Sequence, residues 1–157
     1  DVFAEISKNN TKAHLYLVGS GECEQKIRES IIAHKLQEKV HMLGNRSDVA
    51  QLYQAADLFL FPSKYEGLGI VYMEAQANGL LCYASDAVPL DTNITNNIKY
   101  LPLHENAKYW AKIINDDIRN KNKYSRIVDS ELLLKSSYNV QNSSKALVAQ
   151  YNHIYGG

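Results

Sequence analysis

Short apolar runs alternate with longer two-sided ones along most of the chain. Ala13 to Gly19 reads Ala-His-Leu-Tyr-Leu-Val-Gly, a compact apolar run that predicts a buried strand. Glu22 to His34 carries Ile27, Ile31 and His34 at helical spacing with charges on the other face, which predicts an amphipathic helix. Val40 to Leu43 predicts a second strand, closed by Gly44. Ser47 and Asp48 offer an N-cap pair for a helix through Ala56, with Val49, Leu52 and Tyr53 turned inward. Leu58-Phe-Leu-Phe61 predicts a third strand, stopped by Pro62. Ile70 to Asn78 then reads as a helix, with Gly79 suited to its C′ position. Leu81 to Ser85 and Ile98 to Leu101 supply a fourth and a fifth strand.

Beyond Ala107 the pattern turns helical. A helix to Ile118 places Trp110, Ile113 and Ile114 on one side, and Asn122 to Lys135 forms a polar helix or a pair of turns. A last helix over Val140 to Tyr155 has Val140, Leu147, Tyr151 and Ile154 in register. The first residues, Asp1-Val2-Phe3-Ala4-Glu5, have the look of a chain starting inside a helix, with no basic segment leading into an apolar core.

Strands alternating with helices predict an α/β, Rossmann-like fold, with a parallel sheet and helices on both faces. Right-handed crossovers place the strand-to-helix loops along one edge, and ligands bind at the carboxyl ends of the strands. Glycines fall in two such loops, after Val18 and after Phe61. The chain has 157 residues and 17.7 kDa, which sets the expectation of a single domain over 1–157 with a core of its own. Seventeen basic residues balance seventeen acidic ones. No basic excess points to nucleic acid, so no nucleic-acid partner is expected. Cys23 and Cys82 lie far apart, without neighbours at metal-ligand spacing, so neither a zinc site nor a disulfide framework is expected. That cysteine usage makes a reduced, cytoplasmic compartment the expectation, and no apolar run is long enough to span a bilayer.

The chemistry concentrates in Phe61-Pro-Ser-Lys-Tyr-Glu-Gly-Leu-Gly-Ile-Val-Tyr-Met-Glu-Ala-Gln-Ala-Asn-Gly79. Glu66 and Glu74 flank a glycine-containing turn that opens a helix. A helix N-terminus offers unpaired N–H groups and about half a positive charge, enough to hold a phosphate. Gly67 and Gly69 leave the backbone open to close approach. Glu74 lies about one turn inside the helix, and helical side chains lean toward the N-terminus. There its carboxylate can accept hydrogen bonds from vicinal hydroxyls, as on a ribose. Glu66, before the turn, can meet hydroxyls of whatever the phosphates carry. Polyol, phosphate, polyol is the layout of a nucleotide sugar.

With those residues assembled, the sequence resembles the C-terminal, donor-binding half of retaining GT-B glycosyltransferases of family 4, whose Glu-x7-Glu motif sits on a strand–turn–helix unit. The resemblance covers Ala13 to about Ile114 and rests on several segments in order. These are Leu17-Val-Gly-Ser-Gly21, Leu43-Gly-Asn-Arg-Ser-Asp-Val49, Ala55-Ala-Asp-Leu-Phe-Leu-Phe-Pro-Ser63 and Ala75-Gln-Ala-Asn-Gly-Leu-Leu-Cys-Tyr-Ala-Ser-Asp86. The pattern is most like bacterial exopolysaccharide and capsule transferases. It implies that Glu66 is catalytic, contacting the donor sugar. Gly67, Leu68 and Gly69 would offer N–H groups to the diphosphate, and Glu74 would hold the ribose. Gly19 and Gly21 would let the backbone approach the donor, and Asn45 and Arg46 would line the base pocket. Many relatives have Pro or Phe in the turn where this chain has Leu68-Gly69, and Leu80-Leu81 replaces a commoner Leu-Pro.

The resemblance also implies a UDP-hexose donor, a lipid-linked or saccharide acceptor, surface polysaccharide as the product and no metal or other cofactor. The family's phosphate-neutralising Arg and Lys are expected upstream of Asp1, and the acceptor face is expected on an N-terminal domain in cis. Half an enzyme of this kind is expected to bind donor weakly and to catalyse nothing alone, with peripheral attachment to the inner membrane face left to the full-length form. Two other readings stay open: a nucleotide-sugar epimerase of the GT-B superfold, and a nucleotide-binding module without catalysis. A flavodoxin-like or dinucleotide-binding domain is disfavoured, because Gly19-x-Gly21 lacks the third glycine of G-x-G-x-x-G.

Overall fold

The computed structural model describes residues 1–120, 126, 128, 130–136 and 138–155. In chain order the elements are α1 (Val2–Asn9), β1 (Leu15–Val18), α2 (Glu24–Ala33), β2 (Val40–Gly44), α3 (Val49–Ala55), β3 (Leu58–Phe61) and α4 (Ile70–Ala77). They continue with β4 (Leu81–Ser85), a 3-10 turn at Leu90–Thr92, β5 (Ile98–Leu101), α5 (Ala107–Arg119), α6 (Ser130–Lys135) and α7 (Val140–Tyr155). This is the expected α/β alternation, and all five strands lie where the apolar runs placed them. The polar stretch from Asn122 yields a described helix only at α6, and most of its first half lies outside the described residues.

The strands form two hydrogen-bonded sheets rather than one. β1 pairs with β2 in parallel, with Leu15 opposite Val40 and Leu17 opposite Met42. The second sheet has the order β3-β4-β5, with β3 and β4 parallel in the register Leu58–Leu81 to Phe61–Ala84. The chain divides accordingly into two compact units, Asp1–Leu52 with Leu101–Ser125, and Tyr53–Tyr100 with Arg126–Gly157.

In the first unit, Phe3 and Ala4 of α1 join Leu36 and Val40 in a core against which Ala13, Leu15, Leu17 and Ile31 pack. α1 also packs on α5, whose buried face is Trp110, Ala111, Ile114 and Asn115. Asn106 caps α5, its side-chain oxygen accepting from the N–H groups of Lys108 and Tyr109. The Trp110 indole, 2% exposed, donates to the Pro102 carbonyl at 3.0 Å, which satisfies its one polar atom. The inward face expected of α2 is only partly realised. No residue of α2 is fully buried and Ile27 is 38% exposed, because α1 and Leu36 already fill the core and only Ile31 reaches it.

In the second unit, β4 is the buried strand, with Cys82, Tyr83, Ala84 and Ser85 all inaccessible. α4 lies on it, burying Tyr72, Met73, Ala75 and Gln76. Gly79 ends α4 as expected, at φ +76°, with its N–H on the Gln76 carbonyl and the Leu80 N–H on that of Ala75. α7 keeps its predicted span, but Val140, Leu147, Val148, Tyr151 and Ile154 are all exposed.

Candidate functional site

The strand–turn–helix unit between β3 and α4 is held from below. Phe61 ends β3, and its carbonyl accepts from the Tyr72 hydroxyl. The Ser63 carbonyl accepts from the Ser85 hydroxyl, and the Ser63 hydroxyl donates to the Tyr65 carbonyl at 2.9 Å. Two buried side chains of α4 and β4 therefore fix the start of the loop. Burial pushes the Tyr72 phenol far above the usual tyrosine range, and the charge of Glu66 adds to the effect. Tyr72 therefore stays a donor at any working pH.

The loop turns into α4 at Gly69, which holds the N-cap position in the left-handed region (φ 67°, ψ 39°). A Cβ there would sit 2.7 Å from Thr92 Cγ2 and 3.2 Å from Tyr72 Cδ2. The dihedral favours glycine, and the close contacts penalise any added side chain. A Cβ at Gly67 would meet nothing within 4 Å, so that glycine is open on its outer side. In the first turn of α4 the Tyr72 N–H donates to the Gly69 carbonyl at 3.0 Å, while those of Ile70 and Val71 precede the first helical acceptor. They and the turn's own amides form the positive-end dipole this loop presents. Glu66, half-buried, stands before the turn, and Glu74, exposed, stands one turn into α4. The two glutamates thus stand on either side of the turn that opens α4.

Thr92 meets Gly69 because Gln76 holds the segment that carries it. The fully buried Gln76 amide donates to the Tyr72 and Thr92 carbonyls at 3.1 and 2.7 Å. Its oxygen accepts from the Ile94 and Thr95 N–H groups and the Thr95 hydroxyl at 3.2–3.3 Å. Thr92 in turn donates to the Pro89 carbonyl at 2.8 Å and meets the Tyr100 hydroxyl at 2.7 Å.

The other expected site residues belong to the first unit. Gly19 and Gly21 form the loop after β1, where Gly19 has φ +120° and donates its N–H to the Gly44 carbonyl at 2.8 Å. Asn45 and Arg46 follow β2. The Ser20 hydroxyl donates to Asn45 Oδ1 at 3.1 Å, tying the two loops together. Arg46 is engaged by Asp48 through both Nε and Nη2, at 2.7 and 2.6 Å. That pairing raises the guanidinium's proton affinity and holds the Asp48 carboxyl below the usual carboxylate range. The Arg46 side chain is therefore occupied, and what this segment leaves open is its backbone. Among the described residues, no three His, Cys, Asp or Glu side chains converge as a metal-binding group, and no helix is long and apolar enough to cross a membrane.

Residues 1–131 match the family described as glycosyl transferases group 1. The chain belongs to that family. Among the relatives of this group 1 chain is EpsF of Bacillus subtilis (strain 168), a protein named as a glycosyltransferase. The two are 30% identical over 151 residues, which is 95% of this chain and 39% of EpsF. Among solved structures, sucrose-phosphate synthase from Thermosynechococcus elongatus superimposes with a TM-score of 0.78 at 20% identity, covering 99% of this chain and 42% of that one. HepE of Anabaena in complex with UDP superimposes with a TM-score of 0.72 at 23% identity, covering 95% of this chain and 44% of HepE. Over the parts of these structures that it covers, this group 1 chain has the same fold, an α/β fold of the GT-B kind. The chain spans about two-fifths of the length of EpsF and of the two solved structures.

Sequence reasoning on this group 1 chain missed the residues beneath the turn: Tyr53, Tyr72, Gln76, Ser85 and Thr92. Tyr53 was legible as inward-facing, but the partner of its hydroxyl was not. Gln76 was the strongest available signal, an amide between Ala75 and Ala77 on the face that α4 must bury. Such a residue needs partners from another segment.

Proposed function

We propose that this chain is the donor-binding part of a retaining glycosyltransferase. It moves a hexosyl group from UDP-hexose to a lipid-linked or saccharide acceptor in surface polysaccharide biosynthesis, on the cytoplasmic side and without a metal. The observation that carries the reading is the left-handed Gly69 N-cap that opens α4, with Glu66 before it and Glu74 one turn inside the helix. Membership of the group 1 family and the resemblance to bacterial proteins of exopolysaccharide type support it. HepE, which shares the fold, was solved in complex with UDP, and this favours uracil as the base.

Each part has a role in this reading. The amides of Gly67, Leu68 and Gly69 with the first turn of α4 take the diphosphate. As the glycosidic bond breaks, negative charge grows on the leaving phosphate, and fixed N–H dipoles stabilise it without reorganising. Glu66 holds the sugar hydroxyls and orients the anomeric carbon, and Glu74 takes the ribose hydroxyls. The acceptor side and the phosphate-neutralising cations come from the rest of the polypeptide, in cis.

The test uses the full-length protein with UDP-hexoses and a saccharide acceptor. Glu66→Ala lowers turnover by about 100-fold or more with little change in UDP affinity. Glu74→Ala weakens UDP binding by about 10-fold, the loss of a charge-assisted pair of hydrogen bonds. Unchanged kcat and unchanged UDP affinity in both variants would refute the assignment. Release of an epimerised sugar in place of a transferred one would refute the reaction class.

A further inference from the structure

We infer that Tyr53 is a positioning residue for the nucleotide: its hydroxyl fixes the Glu74 carboxylate in the orientation that receives the ribose. The inference rests on the ribose role proposed for Glu74 and adds a residue from a different helix to that site.

Tyr53 lies in the last turn of α3 and is 9% exposed. Its ring meets Phe59 edge-on, with centroids 5.7 Å apart at 82°, and Phe59 meets Tyr72 the same way at 5.6 Å and 81°. Tyr72 is the residue whose hydroxyl secures the end of β3. The Arg126 guanidinium donates to the Tyr53 carbonyl at 2.7 Å, which fixes its backbone as well. Tyr53 is thus anchored to the same aromatic stack that anchors the turn.

At the other end of the ring, the hydroxyl reaches Glu74 Oε2 and the Val71 carbonyl, both at 3.4 Å. A phenol has one proton, and the ionised carboxylate is the stronger acceptor. Burial, with the Glu74 charge as a second cause, pushes the phenol up to about 12, so the donor persists across the physiological range. Without this contact Glu74 is an exposed glutamate on a helix surface, free to sample its rotamers. With it, one carboxylate oxygen is tethered and the other is left for the ligand. The rotamer is selected before the nucleotide arrives, which lowers the ordering cost of binding.

The test compares wild type, Tyr53→Phe, Glu74→Ala and the double variant of the full-length protein by calorimetry. The probes are UDP and 2′-deoxy-UDP, with GDP and 2′-deoxy-GDP alongside because the base is an open part of the reading. Tyr53→Phe keeps the ring and its packing and removes only the hydroxyl. The expected result is a loss of about 3- to 10-fold for the ribonucleotide and less than about 2-fold for its 2′-deoxy form, with no further loss on a Glu74→Ala background. An equal loss for both sugars, or a loss that persists undiminished on Glu74→Ala, makes Tyr53 merely structural and overturns the inference while leaving the ribose role intact. Unchanged ribonucleotide affinity in Glu74→Ala, or no nucleotide binding at all, overturns the ribose role itself and the inference with it.

Discussion

Replacing Gly69 by alanine tests the idea that the turn is set from beneath rather than by its own residues. Two costs apply. At φ 67° a Cβ is strained by about 1–2 kcal/mol. The same Cβ would press on Thr92 Cγ2 at 2.7 Å and on the Tyr72 ring at 3.2 Å. Thr92 cannot swing aside, because its hydroxyl is held by Pro89 and Tyr100 and its carbonyl by Gln76. Overpacking against a fixed neighbour costs about 1–3 kcal/mol. The sum is about 2–5 kcal/mol. With a urea slope of about 2 kcal/mol per molar, the unfolding midpoint should fall by about 1–2.5 M. Gly67→Ala, which adds a methyl to open space, should change it by less than about 0.3 M. The steric share is separable: Thr92→Ser removes the offending methyl, so Gly69→Ala should cost about 1–2 kcal/mol less on that background. Additive effects of the two substitutions, or equal effects of Gly69→Ala and Gly67→Ala, would show that Thr92 does not shape the turn.

Two further outcomes follow from the same region. Gln76→Leu strands the Thr92 carbonyl and the Ile94 and Thr95 amides in a dry interior, and should cost about 3 kcal/mol or more. Hydrogen exchange should accelerate at Ile94 and Thr95 well before the amides of β4 change. In alkali, burial holds the Tyr53 phenol up to about 12 and that of Tyr72 higher still, against an ordinary value of 10.0. The unfolded chain releases these protons first, so their contribution to stability is complete below about pH 10 and is lost as pH rises toward 12. Absorbance at the phenolate band should therefore show a late fraction of the eleven tyrosines ionising together with unfolding, and a single early step would contradict the burial.

The elements that were legible in the sequence were those whose signal is local. Leu58–Phe61 is four apolar residues stopped by proline, and Gly79 follows the last helical turn, so both could be placed without knowing any neighbour. Glu66, Gly69 and Glu74 were legible for the same reason, as one continuous strand–turn–helix segment. The support for that segment was not, because it joins residues 11–22 positions apart, such as Tyr72 to Phe61, Gln76 to Thr92, Tyr53 to Glu74 and Ser85 to Ser63. Helical periodicity says that Tyr53 faces inward, yet it carries no information on which acceptor its hydroxyl meets. The burial expected of α2 failed for a related reason. Periodicity identifies an apolar stripe, but α1 and Leu36 determine how much core is left for it to cover.

The Gly69 contact bears on how such a site can change over generations. In the proposed function the turn offers main chain to the ligand, so Leu68, 44% exposed, can vary in identity while the amides stay in place. The freedom to drift lies on the outside, and the restriction lies in side chains the ligand never touches. A variant that enlarges Thr92 or shortens Tyr72 would reshape the turn while leaving every residue proposed to face the ligand unaltered. In this architecture, inheritance of a binding surface runs through the layer beneath it.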